Sequence, residues 1–214
     1  MRLVDLSLTF MPGMLGVEFE PRSRFAEKRY NTTMLHIYSH SGTHMDAPLH
    51  FIDEGMGMES VDLHKCIGPA LVIDLSHKAP SSFITPEDLQ RDADQITAGS
   101  RLLLRTDWDL HADQDDYRTH FPRISLALAA WLAEREIWLL GVETPSVASL
   151  LPENREELIT VHRALLGAEI VIVESLARLR DLRGAEVEFI ALPLKLQAVD
   201  GSPVRAVAFD SASD

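Results

Sequence analysis

Three imidazoles and a carboxylate fall within eleven residues in the stretch His40-Ser41-Gly42-Thr43-His44-Met45-Asp46-Ala47-Pro48-Leu49-His50. Neutral ring nitrogens and carboxylates are the donors that suit Zn²⁺ or Mn²⁺, and imidazole is also the side chain that moves protons near neutral pH. The set therefore points to a divalent-metal centre, and to hydrolysis assisted by it. No disulfide or haem pattern competes, because the chain has one cysteine, Cys66.

Spacing decides how these side chains sit. His36, His40 and His44 are each four residues apart, which on a helix would stack them on one face. The local residues argue against that. Ser41-Gly42-Thr43 is poor helix material, and Pro48 disfavours helical geometry at Ala47. Upstream, Thr32 to Tyr38 has strand composition. The expected arrangement is a strand ending near Ser39, followed by a loop that folds His40, His44 and Asp46 onto one centre. Gly42 would give that loop an unusual φ or a close approach to the metal. His36 is expected to be structural, pointed away from the site or into its surroundings.

The elements that must position these residues can be read along the chain. Val4 to Leu8 alternates as a strand does. Residues 10–30 are irregular, with Pro12, Gly13, Gly16 and Pro21, and read as a long loop capping a pocket or a partner subunit, or as an ordinary surface loop. Pro69 to Leu75, Arg101 to Thr106, Ile137 to Val142 and Ile170 to Val173 read as strands. Thr85-Pro86-Glu87-Asp88 has the form of a helix start, and Ser125 caps an amphipathic helix to Glu134. His162 to Leu166 reads as a short helix. Val187 to Leu192 and Val204 to Phe209 close the chain as strands. The class is α/β with layers and a mixed sheet. No dinucleotide or P-loop motif is present.

Length and composition fit one domain, residues 1–214, with a core of ordinary size. Hydrophobic residues make up 46% and charged residues 25%. No apolar run is long enough to span a membrane, and Met1-Arg2-Leu3-Val4-Asp5 shows no signal-peptide pattern, so no secretion signal is expected. The net charge of −13 excludes nucleic acid and anionic membranes as expected partners. A lone cysteine suits a reducing cytoplasm.

One Asp and two or three His hold one metal, and a second needs more carboxylate. Glu174 follows the apolar run Ile170-Val171-Ile172-Val173, where an unpaired buried carboxylate is costly. His162 lies twelve residues before it.

At this point the sequence resembles the cyclase-like family of metal-dependent hydrolases, which contains kynurenine formamidases and isatin hydrolases. Four blocks carry the resemblance: His40 to Phe51, Trp131 to Val147, His162 to Glu174, and Leu192 to Arg205 with Asp200-Gly201-Ser202-Pro203. It implies a swivelling β/β/α domain, commonly a homodimer, acting on a small-molecule substrate. It implies His40, His44 and Asp46 on one metal and Asp46, His162 and Glu174 on a second, with Asp46 and Glu174 shared, so one or two Zn or Mn ions per subunit. His50 would be the general acid and base of an amide hydrolysis in which the metal activates water.

The chain also departs from the family. Formamidases place a Trp before the N-terminal Pro-Gly, where it stacks on the aryl substrate, and here Met11 takes that place. A substrate pocket shaped by Phe10, Met11, Met14 and Leu15 is expected, softer than an aromatic platform. Glu143 stands where relatives have Asp, and an acidic segment, residues 152–158, precedes His162. Two other readings compete with amide hydrolysis: a non-hydrolytic cyclase or dehydratase on the same centre, and a non-catalytic metal-binding protein.

Overall fold

Twelve strands and three α-helices alternate along the chain in the computed structural model, which describes residues 1–211. In chain order they are β1 (Arg2–Asp5), β2 (Val17–Ser23), α1 (Phe25–Lys28), β3 (Thr32–Ile37), β4 (His44–Asp46), β5 (Ile67–Asp74), β6 (Phe83–Ile84), β7 (Arg101–Arg105), β8 (Arg123–Ile124), α2 (Leu126–Glu134), β9 (Leu139–Val142), α3 (Arg155–Gly167), β10 (Val171–Glu174), β11 (Glu186–Pro193) and β12 (Gly201–Asp210). Strands β5, β7, β9 and β10 pair in parallel. Antiparallel pairing adds β11, β12 and β4, and β4 pairs with both β10 and β12, so the sheet closes on itself as a barrel. The other end of β12 carries β1.

Apolar runs produce this closure. In β7, Leu102, Leu103 and Leu104 are all fully buried. Successive strand side chains point to opposite faces, so such a run requires both faces to be covered. Leu102 and Leu104 pack with Leu128, Leu132, Val161 and Leu165 from α2 and α3 on the outer face. Leu103 packs inside the barrel with Met45, Val173, Phe189 and Ala206. Burying a side chain such as Met45 stabilises the fold by about 1.5–3 kcal/mol.

The helices begin where their caps predict. The Ser125 hydroxyl accepts from Leu128 N at 3.1 Å, as an N-cap does. Thr85 and Asp88 form a capping box, but the helix that follows is a single 3₁₀ turn, Pro86–Leu89. The helix containing His162 is longer than its apolar residues suggest. The acidic stretch before it supplies a 3₁₀ turn, Pro152–Asn154, and then Glu156 and Glu157 in the first turn of α3, where they complement the helix dipole.

Residues 10–30 are not a continuous loop. Residues Val17–Ser23 form β2, which pairs with β3 as a hairpin carrying α1 at its turn. Apart from Val17, no residue of these two strands is buried. With no buried face there is little hydrophobic alternation to read in the sequence, and only backbone pairing defines the strands. Among the described residues no helix is long and apolar enough to cross a membrane.

Candidate metal centre

Strand β4 is where the sequence reading predicts a loop. Its three residues lie between β10 and β12, and the register sets His44 opposite Glu174 and Asp46 opposite Gly201. Pleating turns His44 and Asp46 to one face and Met45 to the other, into the core. His40 sits on the turn before β4, and a 3₁₀ turn, Pro48–His50, follows it. This turn brings His50 back over His40, where the rings stack with centroids 3.9 Å apart. His162 comes from the buried stripe of α3 that also holds Val161, Leu165 and Leu166. The structure thus gathers His40, His44, Asp46, His50, His162 and Glu174 from five segments.

Their ligand atoms face one another. His40 Nδ1 lies 2.9 Å from Asp46 Oδ1. His44 Nε2 lies 3.5 Å from Asp46 Oδ1 and 3.3 Å from Glu174 Oε2. His162 Nε2 lies 3.6 Å from Glu174 Oε1 and 3.9 Å from Asp46 Oδ2. The four longer separations exceed the roughly 2.7–2.9 Å of a charge-assisted hydrogen bond. They match donors that share a cation, since ligand atoms about 2.1 Å from a tetrahedral ion stand about 3.4 Å apart. Two of these atoms, His44 Nε2 and Asp46 Oδ2, are buried without a hydrogen-bond partner. A buried polar atom without a partner is costly, and a cation at this point would satisfy both. Two overlapping groups could each hold an ion: His40 with Asp46 and His50, and His44 with Asp46 and Glu174. His50, rather than His44, accompanies His40 in the first of them.

The remaining ring nitrogens are held from behind. His44 Nδ1–H donates to Gly42 O at 2.8 Å, and His162 Nδ1–H donates to Leu158 O at 2.7 Å. A carbonyl can only accept, so each ring carries its proton at Nδ1 and presents its Nε2 lone pair to the centre. Behind His40, the acceptor is Asp200 Oδ2, 3.0 Å from Nε2. Glu174 is fixed by Val147 N, which donates to Oε1 at 2.7 Å.

The charges of the site are strongly coupled. Burial opposes protonation of His40, but the carboxylates of Asp46 and Asp200 outweigh it and push its pKa up to about 9. His162 is also raised despite its burial, through Glu174. Burial works against ionisation of Glu174, yet His162 and His44 hold its carboxyl well below the usual range. His50 is lowered, by burial first and then by the neighbouring His40 and His162. Surplus negative charge that draws protons onto histidines also attracts a cation, which displaces them on binding.

The remaining residues singled out by the sequence fall elsewhere. His36 is exposed on the hairpin, 3.3 Å from Glu20. Gly42 has φ +55°, and a Cβ there would lie 2.9 Å from the Phe10 ring, so Phe10 packs directly on the metal-site loop. Met11 and Met14 line an open cleft of about 480 Å³ between the N-terminal loop and residues 112–115. Leu15 points largely into solvent, 57% exposed. Glu143 is buried away from the metal site. It accepts from the N–H groups of Thr106, Asp107 and Leu179, while burial and Asp109 push its pKa up to about 8. It ties the ends of β7 and β9 to the turn after β10.

Sequence reasoning did not single out Asp200 as a site residue. Its Oδ1 accepts from the Ser39 hydroxyl at 3.1 Å, and its Oδ2 faces both His40 and His50. An Asp-Gly pair by itself signals only a turn.

Known proteins resemble this chain in both sequence and fold. A family described as putative cyclase matches residues 4–149. The kynurenine formamidase of Bacillus thuringiensis (strain Al Hakam) is 36% identical over 177 residues, which cover 83% of this chain and 79% of that protein. Among solved structures, isatin hydrolase A from Labrenzia aggregata, bound to benzyl benzoate, superposes with a TM-score of 0.87 at 26% identity, covering 99% of this chain and 94% of that one. An isatin hydrolase bound to the product analogue thioisatinate gives 0.82 at 26% identity, over 97% and 91%.

Proposed function

Since the chain belongs to the putative cyclase family, we propose that it is a divalent-metal-dependent hydrolase of small amides, opening an N-formyl aryl amide or a cyclic amide. The observation that carries this reading is the set of buried donors around two partnerless atoms, His44 Nε2 and Asp46 Oδ2. A formamidase and isatin hydrolases both open amide bonds, so these relatives favour hydrolysis over a non-hydrolytic cyclase or dehydratase, and over a protein that merely holds metal.

In this reading His40, His44 and Asp46 hold one Zn²⁺ or Mn²⁺, and Asp46, His162 and Glu174 hold a second, with both carboxylates shared. Asp46 is common to both donor groups, which supports its shared role. When bound, such a cation polarises a carbonyl and lowers the pKa of water. His50, half-buried at the edge of the group, takes a proton from the attacking water and returns it to the leaving nitrogen. Metal analysis combined with a screen of N-formylkynurenine, isatin and formanilides tests the reading. We expect bound divalent metal, and turnover that chelation abolishes. A metal-free chain that is inactive after metal is added, or conversion of substrate without uptake of water, overturns it.

The acceptor pocket is assigned to Phe10, Met11, Met14 and Leu15. A thioether touches a ring but fixes it poorly, so Met11→Trp should lower KM for N-formylkynurenine. The assignment fails if the native chain already hydrolyses this substrate efficiently and the substitution abolishes activity.

Leu15, Met34, Leu35 and Tyr38 expose apolar surface on and beside the β2–β3 hairpin. A two-stranded hairpin is marginal in water without something to pack on. We assign its cover to a second copy of the chain, giving a homodimer. Light scattering should give twice the mass of one chain, falling to a single mass in Leu35→Glu. A monomeric native protein refutes the assignment.

A further inference from the structure

His44 and His162 are oriented by backbone carbonyls of their own segments, Gly42 O and Leu158 O. His40 has no such support. Its second nitrogen meets a side chain from the far end of the chain, Asp200, with Oδ2 3.0 Å from Nε2. The same oxygen lies 3.5 Å from Nδ1 of His50, whose ring stacks on His40. One carboxylate oxygen therefore stands between the two imidazoles.

The neighbouring residue completes the contact. A Cβ on Gly201 would lie 2.7 Å from His40 Cε1, 3.0 Å from Nε2 and 3.1 Å from Nδ1. These three similar distances show that the ring lies flat on the Gly201 backbone, where no side chain fits. Gly201 is paired with Asp46 across β12 and β4, and Ala47 N donates to Asp200 O at 2.9 Å. The support under His40 is thus fastened to the strand that carries Asp46, so ring and carboxylate keep a fixed relation.

We infer that Asp200 and Gly201 form a seat that sets the orientation of His40 and His50, which makes Asp200 a positioning residue of the metal centre. Gly201 fixes the plane of the His40 ring. Asp200 fixes its rotation by accepting the Nε2 proton, which turns Nδ1 toward Asp46, where it lies at hydrogen-bond distance, 2.9 Å, and would offer its lone pair to a cation that displaces its proton. Carboxylates in this relation to a ligating histidine typically govern metal affinity by about 10–100-fold. The inference rests on reading His40 as a ligand and His50 as the acid–base group, so its test must separate the two.

Two measurements do so, on the full chain as native protein, Asp200→Ala, Asp200→Asn and Gly201→Ala. Imidazole ¹⁵N shifts of the metal-free proteins, recorded above the His40 pKa of about 9 so that the ring is neutral, report which His40 nitrogen carries the proton. Zinc affinity, by competition with a chelator, reports the centre. In Asp200→Ala we expect a mixture of His40 tautomers, zinc binding weakened by about 10–100-fold, and a fall in kcat with KM unchanged. Asp200→Asn, whose amide oxygen still accepts the Nε2 proton, should recover most of the zinc affinity. Gly201→Ala should weaken zinc binding while Asp200 is intact. Asp200 is partly exposed, so its variants should melt as the native chain does. An unchanged His40 tautomer in Asp200→Ala overturns the inference, as does equal damage from Asn and Ala, which would make the effect one of charge. A native chain that binds no zinc overturns the reading of the centre instead, while the ¹⁵N shifts still decide the seat.

Discussion

Replacing His50 with alanine is expected to leave the metal content unchanged while lowering turnover by about 10²–10⁴-fold, the range for a lost general acid–base group. The placement of the residue motivates this prediction. His50 follows β4 on a 3₁₀ turn, and its ring stacks on His40. It retains solvent access, with 23% of its side chain exposed, whereas His44 and His162 are enclosed at 2%. A proton shuttle needs contact with both the reacting atoms and water, and an enclosed ligand has only the first. The competing possibility is concrete, because His50 lies close enough to His40 and Asp46 to share an ion with them. Metal content by elemental analysis, measured beside kcat, decides between the two. A His50→Ala protein stripped of metal would make His50 a ligand, and the shuttle would have to be another group.

Asp46→Ala should lose metal and turnover together, with activity falling to background. Asp46 is 2% exposed and belongs to both candidate donor groups. The neighbouring acids are already engaged, Glu174 by Val147 N and the two histidines opposite, and Asp200 by Ser39 and the far nitrogen of His40. The sharpest readout is thermal. A ligand that binds only the folded state at a thousand times its Kd stabilises that state by about 4 kcal/mol. Zinc should therefore raise the melting temperature of the native chain and leave that of Asp46→Ala unmoved. A comparable rise in the variant would show that the cation binds elsewhere, and would refute the shared-carboxylate arrangement.

These two residues were legible in the sequence for a simple reason. The segment from His40 to His50 carries most of the donors within eleven residues, so type and spacing alone draw attention to it. The buried strands were legible because runs such as Leu102 to Leu104 suit no surface element. What escaped notice lacks a local signal. Strand β4 is three residues long and preceded by Ser41-Gly42-Thr43, too short for alternation to show; only its pairing with β10 and β12 makes it a strand. The hairpin strand Val17–Ser23 contains Pro21 and a mostly exposed face, so it resembles a loop. Asp200 depends entirely on the register that sets Gly201 beside Asp46. Glu143 departs from the family pattern, yet its carboxylate binds three backbone N–H groups rather than a metal, a use that residue type alone does not reveal.

Closure of the barrel by so short a strand has a consequence for the order of events in folding. The partners of β4 are β10 and the start of β12, both from the last quarter of the chain. During synthesis the segment from His40 to His50 emerges well before its partners. Contacts so distant in sequence must first overcome the entropy of closing a long loop, which places them late on the folding route. Assembly of the complete donor set, from His40 through Glu174 to the Asp200 seat, is therefore a terminal step, and uptake of a cation by the finished centre would mark the moment at which the ring of strands is sealed.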